Sequence, residues 1–127
     1  MDADERRLNQ LTEKIIGCAF NVANGLGVGF LEKVYESALV HELRKAGLFV
    51  EQQRPLQVWY DGVVVGEYVA DLLIERLVLV ELKVVREFDD IHLAQCLDYL
   101  RATNLHICLL INFAKPKIDI KRIVHKL

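Results

Sequence analysis

Residues 77–85 form the segment that most restricts what this chain can fold into, because every position except two is apolar. A strand of this composition must be covered on both faces, as the inner strands of a sheet between helices are. A second apolar run, residues 106–113, follows after one helical segment. Two buried strands joined by a helix predict a parallel βαβ crossover. We therefore expect an α/β fold with helices on the faces of its sheet.

Two amphipathic helices are predicted before the first strand. In the first segment, apolar residues recur at three- and four-residue steps: Leu8, Leu11, Ile15, Ala19 and Val22. Gly25 and Gly27 then end this helix. The second helix is predicted from Phe30 to Gly47. Its expected buried stripe comprises Leu31, Val34 and Ala38, with His41 as a further candidate.

The middle of the chain is typical of a β-hairpin. Asp61 and Gly62 separate two runs rich in Val, Tyr and Trp, which predicts a type I′ turn. Pro55 places the first of these strands at a sheet edge, because proline cannot donate a ladder hydrogen bond. The second strand continues to Ile74.

A third helix and one further element are predicted after the buried strand. Asp89 and Asp90 are natural N-cap residues for this helix. Its expected stripe comprises Leu93, Leu97 and Leu100. Pro116 separates the second buried strand from residues 118–126, which can form a strand or a helix. The predicted order is α-α-β-β-β-α-β-(β or α), a mixed β-sheet flanked by helices.

Composition narrows the classes of function. The chain has 127 residues, 53% of them hydrophobic, and a net charge of −2. We expect a single domain spanning residues 1–127 that does not bind nucleic acid through its overall charge. No apolar run approaches the roughly 18 residues of a membrane span, so no membrane partner is expected. The three cysteines and four histidines are scattered without metal-site spacing, and reduced thiols of this kind indicate a cytoplasmic protein.

Glu81 and Lys83 are the two polar residues of the segment 77–85. At i and i+2 they share one face of the strand, where an ionised group costs several kcal/mol unless it is paired or neutralised. Asp71 lies in the preceding strand. If residues 75–77 form the loop between the strands, Asp71 lies opposite Glu81, whereas a two-residue loop would turn Asp71 to the other face. A site here therefore requires an odd loop or a bulge.

Two close carboxylates repel each other, and a cation between them removes that repulsion. Lys83 could be the cation, in which case the three charges form a structural triad that protects a sheet edge. A divalent metal is the alternative, since Mg²⁺ prefers oxygen ligands and is often held by one or two carboxylates. A lysine beside the metal can orient or deprotonate a water and neutralise a phosphoryl group. Asp71, Glu81 and Lys83 together would suit hydrolysis of a phosphodiester.

A second cluster lies at the start of the second helix, where Glu32, Tyr35 and Glu36 share one face. For Glu36 and its neighbour Lys33 we expect an ordinary solvated helix surface. Glu32 is also favoured near a helix N-terminus by the helix dipole, so a structural role is its alternative.

A third cluster consists of Gln95 and Tyr99, four residues apart on the third helix. If the leucine stripe of that helix faces the sheet, these two side chains lie on its flank. Polar surface is the alternative to a functional role for both.

The end of the sequence is basic. Residues 115–127 contain five basic residues and one acidic residue, Asp119. Such a segment suits a phosphate backbone, and Lys117, Lys121 and Arg122 are the candidate contacts. The alternative is solubilising charge on an edge strand.

Two motifs of this sequence resemble those of a known family. Gly29, Glu32 and Tyr35 form the pattern of the small GxxExxY proteins, which are placed in the PD-(D/E)XK nuclease superfamily. Asp71 followed by Glu81-Leu82-Lys83 resembles the D…ExK core of that superfamily.

Two further segments extend the resemblance. Residues 94–100 resemble the helix that follows the core in this family, and residues 112–117 resemble its closing segment. The motifs occur in the family's order and cover roughly residues 11–124. Ala70 stands where the superfamily's name has Pro, a departure that removes no metal ligand.

The resemblance implies a restriction-endonuclease-like fold and a metal site. Glu32, Asp71 and Glu81 would be ligands of Mg²⁺ or Mn²⁺, joined by the backbone carbonyl of Leu82. Asp71 and Glu81 would thereby belong to the catalytic machinery.

The resemblance also implies roles for four further residues. Lys83 would position and activate the attacking water. Gln95 would orient that water or a phosphate. Tyr35 and Tyr99 would line the site and contact the substrate.

The resulting hypothesis is a Mg²⁺- or Mn²⁺-dependent nuclease of a single PD-(D/E)XK nuclease-like domain. Its partner would be nucleic acid, DNA rather than RNA, and a homodimer would let a nuclease this small cover both strands. The alternative is a non-catalytic nucleic-acid-binding or interaction module on the same fold. The charge triad that only protects a sheet edge is the third hypothesis.

Overall fold

A computed structural model describes residues 2–127 and contains three helices and five strands. In chain order they are α1 (Ala3–Leu26), α2 (Glu32–Lys45), β1 (Val50–Tyr60), β2 (Val63–Ile74), β3 (Val78–Lys83), α3 (Asp90–Thr103), β4 (Ile107–Asn112) and β5 (Asp119–Val124). This order confirms the prediction, and the final segment is a strand. No helix among the described residues has both the length and the apolar character of a membrane span.

The five strands form one mixed sheet in the order β1-β2-β3-β4-β5. Neighbouring strands are antiparallel except β3 and β4, which are parallel and joined through α3. The predicted βαβ crossover is therefore confirmed. Pro55 lies in the edge strand β1 as expected, and the two-residue turn at Asp61 and Gly62 has the two positive φ angles, 51° and 74°, of a type I′ turn.

Helices cover both faces of this sheet. The first face packs against α1 and α2, and its buried residues include Ile15 of α1, Leu39 of α2 and Leu72 of β2. The second face packs against α3, where Leu100 contacts the smaller core around Leu79. The five residues predicted as the buried stripe of α1 are all buried, which confirms that prediction.

The predicted stripe of α2 is confirmed at Ala38, which packs against the core, and is wrong at Leu31, Val34 and His41. Leu31 and Val34 are 78% and 38% exposed, and the helix begins only at Glu32. Its buried face consists instead of Tyr35, Glu36, Leu39, Val40 and Leu43. The predicted stripe left out Tyr35, although the apolar ring of a tyrosine dominates its burial.

The predicted stripe of α3 is confirmed at Leu93 and Leu100, which pack in the second core, and is wrong at Leu97. Leu97 is 42% exposed, whereas Tyr99 is 3% exposed and lies in the core. The helix buries Cys96, Tyr99 and Leu100 against the sheet. Tyr99 can be buried there because its hydroxyl donates a hydrogen bond to the carbonyl of Val69 at 3.1 Å.

Candidate active site at the splayed end of β2 and β3

The loop between β2 and β3 sets the register on which the candidate site depends. Ile74 pairs with Val78, so residues 75–77 form a three-residue loop. Glu75 and Arg76 adopt positive φ angles of 53° and 56° in it. The odd loop that a site at this position requires is therefore present.

The backbone ladder between β2 and β3 ends one residue before Asp71 and Glu81 meet. At that point their side chains replace the backbone bonds. The Asp71 N–H donates to Glu81 Oε1 at 2.7 Å, and the Leu82 N–H donates to Asp71 Oδ2 at 2.8 Å. Each carboxylate thus bonds the backbone of the opposite strand, and the structure brings Asp71 and Glu81 together.

Burial makes both carboxylates hard to ionise, and a nearby negative charge adds to its effect at each of them. Glu81 is 3% exposed, and burial followed by the nearby Asp71 raises its pKa to about 8. Burial also raises the pKa of Asp71, although the hydrogen bond from the Leu82 N–H opposes the shift. A site that holds negative charge at this expense is one that a cation would stabilise.

Glu32 and Lys83 belong to the same electrostatic cluster. Burial and then Asp71 raise the pKa of Glu32, whereas Lys83 opposes that rise. The positive charge of Lys83 also opposes the rise in pKa at Asp71 and Glu81. Within residues 2–127, however, Lys83 forms no ion pair with any carboxylate.

The structural charge triad is therefore wrong on two counts. Lys83 is not in direct contact with Asp71 or Glu81 in the described chain. In addition, β3 lies between β2 and β4, so its charges protect no sheet edge.

The GxxExxY residues form one local unit that presents Glu32. Gly29 has a φ of 106°, which side-chain-bearing residues rarely adopt. The Tyr35 hydroxyl donates to the Gly27 carbonyl at 2.6 Å and accepts from the Phe30 N–H at 3.2 Å. The ring of Tyr35 is fully buried. Tyr35 therefore anchors the joint between α1 and α2 and presents no surface to a substrate.

The two α3 candidates differ from each other in burial. Gln95 is half-buried, and its side chain makes no hydrogen bond to any residue from 2 to 127. Tyr99 is in the core, where its ring contacts Tyr68 with the ring centroids 5.4 Å apart. Gln95 is thus available to a ligand, whereas Tyr99 is not exposed to one.

The basic candidates are exposed but do not form one cluster. Lys117, Lys121 and Arg122 are solvent-exposed. Lys121 lies two strands across the sheet from Glu81, which is roughly 10 Å. Arg122 instead donates to Asn9 Oδ1 of α1 at 2.8 Å.

Glu36 is the first residue that the sequence analysis misjudged. It was expected on a solvated surface, yet it is 2% exposed. Its carboxylate accepts hydrogen bonds from Lys33, Gln52 and Gln53. The available signal was its spacing of three, four and seven residues from Leu39, Val40 and Leu43, because side chains at these steps share one helix face.

Asn112 is the second such residue, and it fixes the backbone beyond Lys83. Asn112 is fully buried; its Oδ1 accepts from the Val85 and Ala114 N–H groups, and its Nδ2 donates to the Val85 carbonyl at 2.7 Å. A single amide in an otherwise apolar run was the sequence signal for this role.

In the part of the chain that the structure describes, no three His, Cys, Asp or Glu side chains are grouped so that they could hold one metal ion. The hydrogen bonds of Asp71 and Glu81 explain this, because their carboxylates point to backbone N–H groups.

Comparison with known proteins identifies the family. A family model described as the PD-(D/E)XK nuclease superfamily matches residues 9–123. The chain therefore belongs to the PD-(D/E)XK nuclease superfamily, and the restriction-endonuclease-like fold expected from the resemblance is confirmed.

A solved structure gives the same fold. The chain titled "Crystal structure of SSO0001" superposes with a TM-score of 0.58 at 19% sequence identity. The match covers 75% of this chain and 50% of that chain, so this chain spans about half the length of its structural relative. No curated protein matches the sequence at a significant level.

Proposed function

We propose that this chain is a Mg²⁺- or Mn²⁺-dependent nuclease that hydrolyses phosphodiester bonds, in DNA rather than RNA. The superfamily supports a nuclease acting on nucleic acid. The observation that carries the proposal is the pair of reciprocal hydrogen bonds that holds Asp71 and Glu81 together beside Lys83. We also propose that residues 1–127 form a single nuclease domain of the GxxExxY type in the cytoplasm, where its three free thiols would stay reduced.

The donor set fits a hard divalent cation. Asp71, Glu81 and Glu32 supply carboxylate oxygens, which Mg²⁺ and Mn²⁺ prefer. Their pKa values are all raised by burial, so a bound cation would relieve an unfavourable charge. We propose these three and the Leu82 carbonyl as the ligands, and ion binding would then require the Glu81 carboxylate to turn from the Asp71 N–H group that it accepts from now.

The chain's own residues would supply positioning and proton transfer. A bound divalent ion supplies Lewis acidity toward a phosphate oxygen. Lys83 Nζ would orient the attacking water and exchange a proton with it, and the amide of Gln95 would hydrogen-bond the water or a phosphate oxygen.

The remaining candidates would act around this centre. Lys117, Lys121 and Arg122 would contact the phosphate backbone as exposed cations. We propose that Tyr35 and Tyr99 position the site from the core, in place of the substrate contact that the resemblance implied. A homodimer would let the chain reach both strands of a duplex.

Cleavage assays test the proposal. The protein is incubated with single-stranded, duplex and branched DNA, and with RNA, in the presence of Mg²⁺ or Mn²⁺. We expect cleavage of DNA that falls at least about 100-fold in Asp71→Ala and in Lys83→Ala. Asp61→Ala, at the hairpin tip, is the matched control and should retain activity. Activity that persists in both site variants would refute the assigned residues.

A non-catalytic nucleic-acid-binding module is the second candidate. It is favoured by the observation that the carboxylates are bonded to backbone N–H groups and form no metal-binding group within residues 2–127. Salt-dependent DNA binding without cleavage, and no effect of Mn²⁺ on the melting temperature, would identify it.

A further inference from the structure

The edge strand β1 is interrupted at Gln53, directly beside Asp71. Gln52 and Arg54 both pair with β2, whereas Gln53 between them has no partner in the register. Its φ is 52°, a conformation that is uncommon for a residue with a side chain and is found at functional sites. The strand therefore adopts an unfavourable backbone at this one position.

The interruption directs the Gln53 amide between two carboxylates. Its Nε2 donates to Glu36 Oε1 at 2.9 Å and to Asp71 Oδ1 at 3.3 Å. A glutamine amide has two N–H donors, so one group can serve both acceptors. Gln53 thus joins a buried glutamate of α2 to the central aspartate of the candidate site.

Glu36 holds this amide and is not itself open to a ligand. Its Oε2 accepts from Lys33 Nζ at 2.9 Å and from Gln52 Nε2 at 2.5 Å. Both oxygens are therefore occupied, and the side chain is 2% exposed.

Asp71 is consequently fixed from two sides. Gln53 donates to its Oδ1 and the Leu82 N–H donates to its Oδ2. A carboxylate offers roughly four acceptor positions, so about half of them remain for a ligand while the plane of the group is set.

We propose that Gln53 and Glu36 are positioning residues that orient the Asp71 carboxylate for the divalent cation. The inference rests on the proposed function and deepens it. Neither residue contacts the cation, and both act through Asp71.

The Mn²⁺ affinity of Gln53→Gly tests this role. Glycine accepts the positive φ without strain, so the variant removes the amide and leaves the strand conformation intact. We expect the dissociation constant for Mn²⁺, measured by isothermal titration calorimetry, to rise about 10-fold. This is the low end of the effect for a residue that hydrogen-bonds a metal ligand, because Gln53 is solvent-exposed. The melting temperature of the metal-free protein should change by only a few degrees, because the relief of the positive φ offsets the donor that Glu36 Oε1 loses.

Asp61→Gly is the matched control. Asp61 also has a positive φ, 51°, but lies in the hairpin turn. It should bind Mn²⁺ as the wild type does. A Gln53→Gly protein with wild-type affinity would overturn the inference.

A double-mutant cycle tests whether the two residues act together. Glu36→Gln removes the charge and keeps the volume of the side chain. If Glu36 acts through the Gln53 amide, the double variant should bind Mn²⁺ no more weakly than the weaker-binding single variant. Effects that multiply would show that Glu36 acts independently and would contradict the proposed connection.

The Mn²⁺ titrations distinguish a failure of the proposed function from a failure of this inference. A wild-type protein that binds no Mn²⁺ would overturn both the proposed function and this inference. A wild-type protein that binds Mn²⁺, with unchanged affinity in Gln53→Gly, would overturn only the inference.

Discussion

The two ends of the β2–β3 pair use opposite means of holding two strands together. At the loop end, residues 72–74 pair with residues 78–80 through the backbone, and Leu72, Ile74 and Leu79 are fully buried. At the other end, Asp71 and Glu81 replace the backbone bonds with carboxylates. The first end stabilises the fold through apolar burial, and the second retains charges that are costly to bury.

Within one hairpin, the apolar end stabilises the fold and the charged end carries the candidate site. The pKa values of Asp71 and Glu81 are raised, so the folded state holds their ionised forms at a disadvantage. The folded state tolerates this cost of ionisation because the apolar end fixes the register of the two strands. Neighbouring residues of one hairpin therefore provide a buried apolar support and a pair of carboxylates whose charge a cation would offset.

An effect as large as any expected here comes from a cavity at the apolar end. Leu79→Ala should lower the free energy of unfolding by about 2–5 kcal/mol, measured by urea denaturation. Leu97→Ala is the matched control, because Leu97 is 42% exposed on α3; it should change stability by less than about 0.5 kcal/mol. Equal losses in the two variants would contradict the burial pattern of α3.

Glu81→Gln at the charged end should stabilise the metal-free protein at high pH. The folded pKa of Glu81 is raised from 4.5 to about 8, so folding favours the protonated form. The wild type therefore loses stability relative to the variant as pH rises from 4.5 to 8, by on the order of 3–5 kcal/mol at 1.36 kcal/mol per pKa unit. Below pH 4.5 the two proteins should show no such difference.

Urea denaturation at a series of pH values measures this difference. Glu67→Gln, on the exposed part of the same hairpin, controls for the loss of one negative charge. A stability gap between wild type and Glu81→Gln that stays constant across this pH range would show that burial does not disfavour the Glu81 carboxylate.

Binding of Mn²⁺ should offset the destabilisation that the buried charges of Asp71 and Glu81 cause. At 100 times its dissociation constant the ion should stabilise the folded protein by about 2.7 kcal/mol, seen as a rise in melting temperature. Asp71→Asn should reduce the rise, whereas Asp61→Asn should not. A rise of equal size in Asp71→Asn would place the ion elsewhere.

The smallest effect is expected at the core tyrosine beside the site. Tyr99→Phe removes the hydrogen bond to the Val69 carbonyl and should lower the free energy of unfolding by about 0.5–1.5 kcal/mol in urea denaturation. Tyr60 is 73% exposed, so Tyr60→Phe is the control. No difference between them would mean that the buried hydroxyl contributes nothing.

The sequence was sufficient to predict the element order and the condition, an odd loop, on which the register of Asp71 and Glu81 depends. Both follow from local rules: apolar runs identify the inner strands, and a three-residue loop determines which residues face each other. The prediction was wrong for amphipathic side chains. Tyr35 and Tyr99 have apolar rings and polar tips, and the predicted stripes of α2 and α3 left them out.

The network around Asp71 was not predictable in the same way. Glu36 and Gln53 are 17 residues apart, and their contact depends on how α2 crosses β1. The unusual φ of Gln53 has no signal in its residue type, since glycine and asparagine are the residues that usually mark such positions. Contacts of this kind arise from tertiary packing and become visible only in the folded chain.

Anomalous diffraction from crystals soaked in Mn²⁺ tests the central claim most directly. We expect one manganese peak bonded to carboxylate oxygens of Asp71 and Glu81, with Glu32 completing the protein ligands. A fully soaked crystal without a peak at these carboxylates, or with manganese bound only at other residues, would contradict a metal-dependent nuclease site at this end of the hairpin.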